Sequence, residues 1–358
     1  MSSITRKKSD TADVPRDADG RPVLRDAYGR IARDLRVSLT DRCNLRCTYC
    51  MPAEGLDWLP TDVTLADDEV SRLIRIAVEI LGIEEIRFTG GEPLLRRGLE
   101  KIIADAAALT THRGGAPALS ITTNGLGLDK RAAALKAAGL SRANVSLDTL
   151  DPERYATLAR RDRFHDVIKG LEGAKAAGLG PIKVNTVLMR GVNEDDAAPL
   201  LLFCLQHGYE LRFIEQMPLG PPHTWQRADM VGADEILRRL SERFELSQEP
   251  APQGSAPAAV WQVVPGADHP AGNVGIIASV SRPFCGACDR TRLTADGQMR
   301  TCLFSRTETD LRTPLRDGAS DLEIAELWAG AMAKKKPGHD IDDPTFIQPG
   351  RTMSAIGG

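Results

Sequence analysis

An α/β architecture on a parallel sheet is what this sequence predicts, and three observations predict it. Short apolar runs alternate about six times with longer amphipathic stretches, the pattern of a repeated βα unit. Several of those stretches finish on a glycine followed by an apolar residue: Gly82-Ile83, Gly139-Leu140, Gly178-Leu179 and Gly208-Tyr209. Glycine takes the left-handed conformation that closes a helix, and the next apolar side chain packs back on it. The chemically loaded motifs follow the first and second runs, where parallel α/β folds gather their sites.

The candidate strands are Leu35–Leu39, Glu85–Thr89, Leu119–Thr122, Ala143–Leu147, Ile182–Leu188 and Leu211–Ile214. The clearest helix is Leu65–Leu81, with Val70, Leu73, Ile74, Ala77, Val78 and Leu81 on one face. Thr64 is its candidate cap, with Asp67 three residues on. The alternation stops near Met217, and the Pro/Gly-rich stretch Pro218–Thr224 reads as a boundary. Beyond it come a helix over Ala233–Phe244, a Pro/Gly/Ala loop over Pro250–Ala258, and strands near Trp261–Val264 and Val274–Val280. The division expected is a polar tail over 1–30, an α/β unit over 31–217, a smaller α+β cap over 218–335 and a tail over 336–358. Pattern alone does not separate a partial barrel from an open doubly wound sheet.

Composition bounds the function. The chain has 358 residues, 42% of them hydrophobic, a formal net charge of −3 and only 4% aromatics. With no global basic field and few rings for stacking, a nucleic-acid polymer is not an expected partner. No apolar run is long enough to span a membrane. Seven cysteines without a secretory signal suit a reducing cytoplasm better than a disulfide framework.

The most informative feature is Cys43-Asn44-Leu45-Arg46-Cys47-Thr48-Tyr49-Cys50. The C-x3-C-x2-C spacing is not that of paired zinc ligands, and the six His are scattered. A cuboidal iron–sulfur cluster normally takes four thiolates, so three leave one iron open for chemistry. A second trio, Cys285, Cys288 and Cys302, has C-x2-C-x13-C spacing. Taken alone it is open to two readings, a zinc knuckle closed by a distant His or a second cluster with an open iron. Cys204 lies in a helical stretch and reads as a buried structural thiol.

Other candidates are weaker singly. Thr89-Gly90-Gly91-Glu92-Pro93 is an ordinary turn unless it follows a strand beside the cysteine loop. Thr122-Thr123-Asn124-Gly125 and Asn144-Val145-Ser146-Leu147-Asp148 end the third and fourth strands, where turn and cap chemistry is the plain alternative. Arg36, Arg87, Lys183 and Arg212 fall inside strand runs, and a charge in a strand core needs a partner. There is no G-x-G-x-x-G and no P-loop.

The run Cys43-Asn44-Leu45-Arg46-Cys47-Thr48-Tyr49-Cys50, preceded by Asp41-Arg42, resembles the signature of radical S-adenosylmethionine (SAM) enzymes. With Thr89-Gly90-Gly91-Glu92-Pro93, the second trio, Arg290 and Arg292, and the final Met353-Ser354-Ala355-Ile356-Gly357-Gly358, the chain is similar to their GTP 3′,8-cyclase family from about Gly29 onward. That resemblance implies a partial (β/α)6 radical SAM barrel whose C-terminal cap carries a second cluster. It implies two [4Fe–4S] clusters, on Cys43, Cys47 and Cys50 and on Cys285, Cys288 and Cys302, with SAM on the open iron of the first. It implies SAM contacts from Tyr49, Gly91, Ser146 and Met217. Arg36, Arg87, Thr122, Lys183 and Arg212 would hold GTP, Arg290 and Arg292 would serve substrate binding and catalysis, and Gly357 and Gly358 would thread back toward the site. One departure stands out: relatives often carry Lys where this chain has Glu85.

The implied reaction takes the 3′ hydrogen of GTP ribose, joins C3′ to C8 of guanine and yields 3′,8-cyclo-7,8-dihydro-GTP, the first step of molybdenum cofactor biosynthesis. Implied partners are an external electron donor and, next in the pathway, cyclic pyranopterin monophosphate synthase. A cytoplasmic monomer or homodimer is expected. Two alternatives stay open: a peptide-modifying radical SAM maturase, which leaves the Gly-Gly end unexplained, and a non-enzymatic zinc or iron–sulfur protein.

Overall fold

A computed structural model describes residues 14–221, 224–248 and 254–357. The strands are β1 (Asp34–Ser38), β2 (Glu85–Thr89), β3 (Ala118–Thr123), β4 (Arg142–Ser146), β5 (Ile182–Val187), β6 (Glu210–Ile214), β7 (Leu246–Ser247), β8 (Ala259–Val263), β9 (Gly272–Ile277), β10 (Arg290–Leu293), β11 (Gln298–Arg300) and β12 (Thr309–Asp310). The helices are α1 (Asp67–Arg75), α2 (Leu99–Ala107), α3 (Leu128–Ala137), α4 (Pro152–Ala159), α5 (Phe164–Ala176), α6 (Ala197–His207), α7 (Ala233–Ser241), α8 (Arg312–Arg316), α9 (Asp321–Met332) and α10 (Met353–Ile356). The six predicted strands β1–β6 form within a residue or so of their expected bounds and pair in parallel, in sequence order.

The helix ends behave as the glycines predict. Gly82, Gly139, Gly178 and Gly208 all have positive φ. The amides of Ile83, Leu140, Leu179 and Tyr209 then reach back to the carbonyls of Ala77, Leu135, Ala174 and Cys204. The first helix differs from expectation at its start. Thr64 spends its hydroxyl on the Pro60 carbonyl, so Ala66 is the cap residue and Glu69 accepts its amide at 2.7 Å. After Arg75 the backbone widens into a π-helical turn over Ile76–Ile80, which keeps Ile76, Ala77 and Val78 on the buried face.

The C-terminal third does not build a separate sheet. β9 joins β6 in parallel at one edge, and β10 joins β1 in parallel at the other. The continuous order is β12-β11-β10-β1-β2-β3-β4-β5-β6-β9-β8-β7. The chain therefore passes from one edge of the curled sheet to the other between Ile277 and Arg290, and Cys285 and Cys288 lie on that crossing. Glu215, at the end of β6, pins its start by accepting the Val280 and Ser281 amides at 2.8 Å and the Ala233 amide at 2.9 Å. The β10 segment Arg290–Leu293 is buried despite its two arginines, with Thr291 hydrogen-bonded to Trp328 of α9.

Of the polar tail expected over 1–30, residues 1–13 lie outside the described residues. From Val14 the chain makes two small bridged turns, Arg16↔Pro22 and Arg25↔Ile31, and buries Leu24 completely. Arg30 pairs with Asp26 and donates to the carbonyls of Cys285, Lys336 and Pro337. Its charges are internal fasteners, invisible as such in composition.

Glycine positions give a two-sided test of the packing. A Cβ on Gly170 of α5 would sit 2.2 Å from the Gly125 carbonyl oxygen, whereas one on Gly330 of α9 would meet nothing within 4 Å. Gly170→Ala should cost about 1–3 kcal/mol, and Gly330→Ala should add about 0.5–1 kcal/mol. Thermal unfolding should move in opposite directions for the two variants.

Candidate active site

One cavity of about 560 Å³ collects the chemistry. It is lined by both cysteine trios: Cys43, Cys47 and Cys50, and Cys285, Cys288 and Cys302. Tyr49, Gly91, Ser146 and Met217 line it, as do Arg36, Arg87, Thr122, Lys183, Arg212, Arg290 and Arg292. The fold brings them together because β1–β6 end on the same side and the Ile277–Arg290 crossing runs over that side.

The first trio sits on a loop built against its neighbours. The Cys50 and Met51 amides donate to the Cys47 carbonyl, and the Leu45 amide donates to Cys43 Sγ at 3.5 Å. Asn124 Nδ2 lies 3.8 Å from the same sulfur, and the Ser354 amide donates to Cys50. Amides aimed at sulfur favour thiolate ligands. Burial works the other way, raising all three thiols and bringing Cys50 to about 12. The loop is held to β2 through Gly91-N to Thr40-O and Glu92-N to Arg42-O, both 2.8 Å. A Cβ on Gly91 would lie 2.3 Å from Arg42-O and 2.4 Å from Asp41-O. The bareness of Gly91 is thus required by the cysteine loop itself, a reason that spacing did not supply. Glu92 is fully buried; burial lifts its carboxyl to about 7 although it accepts from Thr123 Oγ1 and the Asn124 and Leu94 amides.

Cations form a row on the inner face. Strand register places Arg292, Arg36, Arg87, Ser120 and Arg142 side by side across β10, β1, β2, β3 and β4. Asp34 pairs with Arg36, its Oδ2 2.8 Å from Nη2. Among the described residues Arg87 donates to the Ser120 hydroxyl, at 3.2 Å. Burial, then the Arg36 charge, depresses Arg87 to about 9; burial, Arg36 and Arg290 do the same to Arg292. On β5 and β6, Lys183 and Arg212 share Glu210, at 3.7 and 3.1 Å. Burial and Arg212 bring Lys183 to about 8. Adjacent like charges on one sheet face are unfavourable unless an anion joins them. Glu85, the departure in the sequence, pairs with Arg142 at 3.3 Å, which puts a further guanidinium on the cavity wall.

The second trio has a different surround. Arg290 is 8% exposed; its Nε and Nη2 have no hydrogen-bond acceptor among the described residues, and its guanidinium lies 4.6 Å from the centre of the Phe284 ring. Lys335 Nζ donates to the Cys288 and Arg290 carbonyls and lies 3.3 Å from Cys288 Sγ. Burial opposes ionisation of Cys288, but Arg290 and Lys335 outweigh it and bring the thiol down to about 7. His339, on the cavity wall, is occupied elsewhere: Nε2 meets the Ser279 carbonyl at 2.9 Å and Nδ1 accepts the Ile341 amide. Cys204 is buried in α6, away from both trios.

The last residues run back into the molecule. Arg351 pairs with Asp296 and Glu308, each at 2.8 Å, and Ser38 Oγ donates to the Ile356 carbonyl at 2.8 Å. Arg292 Nη1 donates to the Gly357 carbonyl. Gly357 has φ +81, and a Cβ there would lie 2.3 Å from Ser38 Oγ. Gly358 lies outside the described residues.

Sequence reasoning missed Asp34, Arg142, Glu210, Glu215, Lys335 and Arg351. Asp34 and Glu210 act through partners two residues away on the same strand, the others through partners distant in sequence, and a lone charge in a sequence carries no sign of its partner.

The donor sets fit iron–sulfur clusters. Each trio brings three thiols to the cavity wall, the donor count that leaves one iron of a [4Fe–4S] cluster open. The orphaned Arg290 nitrogens and the under-balanced cation row both call for negative charge in the cavity.

Comparison with known proteins agrees. Residues 37–204 match the Radical SAM superfamily, and residues 209–341 match Molybdenum Cofactor Synthesis C. A GTP 3′,8-cyclase of Corynebacterium glutamicum is 64% identical over 357 residues, covering 98% of this chain and 95% of its own. One from Mycolicibacterium smegmatis is 61% identical, covering 96% and 94%. The solved structure of Streptococcus suis SuiB bound to precursor peptide SuiA shares the fold at a TM-score of 0.58 and 13% identity, over 86% of this chain and 67% of that one.

Gly91→Ala should push the Asp41–Arg42 backbone away from β2. Iron held by the first trio should fall while iron held by the second is retained, as read by metal analysis and Mössbauer spectroscopy of the anaerobically reconstituted protein. With near-full-length relatives above 60% identity and both cysteine trios on one cavity, the chain belongs to the GTP 3′,8-cyclase family of radical SAM enzymes.

Proposed function

We propose that this protein converts GTP to 3′,8-cyclo-7,8-dihydro-GTP in the first step of molybdenum cofactor biosynthesis. The observation that carries this reading is a row of guanidinium groups, Arg292, Arg36 and Arg87, on the wall of a cavity that both cysteine trios line. A triphosphate supplies the negative charge that row lacks, and arginine's fork suits phosphate oxygens.

In this reading Cys43, Cys47 and Cys50 hold one [4Fe–4S] cluster, and Cys285, Cys288 and Cys302 hold another. Bound clusters and SAM together supply one-electron reduction and hydrogen-atom abstraction. The chain's own residues position and enclose. Tyr49, Gly91, Ser146 and Met217 orient SAM. Tyr49 is fixed for this by its hydroxyl bond to Asp148 at 2.8 Å. Arg36, Arg87, Lys183, Arg212 and Thr122 hold the triphosphate and ribose, with Arg142 replacing the cation that Glu85 takes away. Arg290 and Arg292 lie on alternate residues of β10 and so share the face turned to the cavity. They steady the purine end and the developing charge. Gly357 and Gly358 close the site around the reacting atoms, where exclusion of water and oxygen matters. The units 31–217 and 218–335 act as barrel and closing segment.

Around this core we place an external one-electron donor and transfer of product to cyclic pyranopterin monophosphate synthase. A cytoplasmic monomer or homodimer suits these roles. Among the described residues no helix is long and apolar enough to cross a membrane.

Anaerobic incubation with SAM, a strong reductant and GTP should release 5′-deoxyadenosine in a GTP-dependent manner. A fully iron-loaded protein that releases none in response to GTP would remove the substrate assignment. Arg87→Ala should weaken GTP binding about 10–100-fold, the loss of a charge-assisted contact. GTP affinity should also fall as pH rises through about 8, where Lys183 loses its proton, because the polyanion prefers the charged form. Lys183→Met should flatten that pH dependence in equilibrium titrations. Deleting Gly357 and Gly358 should abolish cyclisation while leaving the iron content of both trios intact; full activity of the truncated protein would count against an active-site tail.

A further inference from the structure

The two cysteine trios lie in opposite electrostatic surroundings. Beside the first are the buried acids Glu92 and Asp148. Beside the second are Arg290, Arg292 and Lys335, none with a carboxylate partner among the ion pairs of the described residues. Lys335 is the least expected of these. It follows α9 in Lys334-Lys335-Lys336, a run that reads as an exposed basic surface. Its two neighbours are outside the core, yet Lys335 is only 3% exposed.

An ammonium has three N–H donors and no acceptor. Those of Lys335 go to the Arg290 carbonyl at 2.9 Å, the Cys288 carbonyl at 3.1 Å and Cys288 Sγ at 3.3 Å. Two neutral carbonyls satisfy hydrogen bonds but do not balance a buried charge. The sulfur, as a thiolate on a metal cluster, does. The carbonyl bonds also fix the ammonium in place, because they hold both ends of the Cys288–Arg290 segment. A charge so fixed adds the same electrostatic contribution in every turnover.

We propose that Lys335 is a positioning residue for the second cluster, whose N–H···S bond and fixed positive charge raise that cluster's reduction potential. The proposal rests on the reading of Cys285, Cys288 and Cys302 as ligands of a [4Fe–4S] cluster. The couple takes up one electron, from the 2+ to the 1+ level, with no bond made or broken. The reduced level carries one more negative charge and is favoured by a nearby cation and a donor to sulfur.

The experiment is an equilibrium dithionite titration with redox mediators, followed by electron paramagnetic resonance, on the anaerobically reconstituted full chain. A background of Cys43→Ala, Cys47→Ala and Cys50→Ala isolates the second cluster. Lys335→Met should lower its midpoint, shifting the reduction equilibrium about tenfold, or ~59 mV for one electron. Lys335→Arg, which keeps charge and donors, should stay near wild type, and Lys335→Gln, which keeps a donor alone, should fall between. With the first trio intact, the first cluster's midpoint should not move. An unmoved second-cluster potential in an iron-loaded Lys335→Met overturns the proposal. So does loss of second-trio iron in all three variants, which assigns Lys335 to assembly instead. Zinc in place of iron in the parent protein overturns the cluster reading beneath it, a failure that metal analysis tells apart from the other two.

Discussion

Buried positive charge that the carboxylates of the described residues answer only in part is the constraint on which this molecule depends. Arg36, Arg87 and Arg292 stand side by side on parallel strands, and Asp34 answers only the first of them. Such an arrangement is costly in an empty cavity and favourable around a polyanion. The same logic governs the second trio, where Lys335 meets the Cys288 sulfur and Arg290 lies over the Phe284 ring, neither with a carboxylate among the ion pairs of the described residues. Substrate and cluster thus complete the electrostatics of a scaffold that hydrophobic packing has already made rigid.

That packing explains how so much charge is tolerated. The outer face of the sheet is closed by α1–α3, α5, α6 and α9, and the strands are apolar there: Leu35, Val37, Ile86, Phe88, Val145 and Val184 are fully buried. Alternation along each strand puts the charged residues on the opposite, inner face. The curled sheet is not closed by hydrogen bonds between β1 and β6. One C-terminal segment instead extends both edges, and the crossing between them carries the second cysteine pair. The site is assembled by the same stretch of chain that covers the opening, so closure and the placing of the second cysteine pair cannot be separated. Glu215 holds the start of that stretch, and Lys335 holds its end.

The glycines show the same economy. Gly91 is bare because two carbonyls of the cysteine loop lie against it, and Gly357 is bare because Ser38 and Thr89 do. In both places the absence of a side chain lets one piece of the site's backbone rest on another.

The sequence by itself determined the parallel α/β order, the helix ends and both cysteine trios, because these are local: a period, a positive-φ glycine and a spacing are written in consecutive residues. It also marked Arg36, Arg87, Lys183 and Arg212, since charge inside a strand run is locally anomalous. Only the tertiary structure decided which charges answer one another. Asp34 with Arg36 is close in sequence, but Glu85 with Arg142, Arg351 with Asp296 and Lys335 with Cys288 are made across the fold. Composition shows neither the burial of Leu24 nor that of Lys335. The folded chain buries Leu24 and Lys335 alike, because a residue's environment is set by the neighbours that long-range packing brings to it.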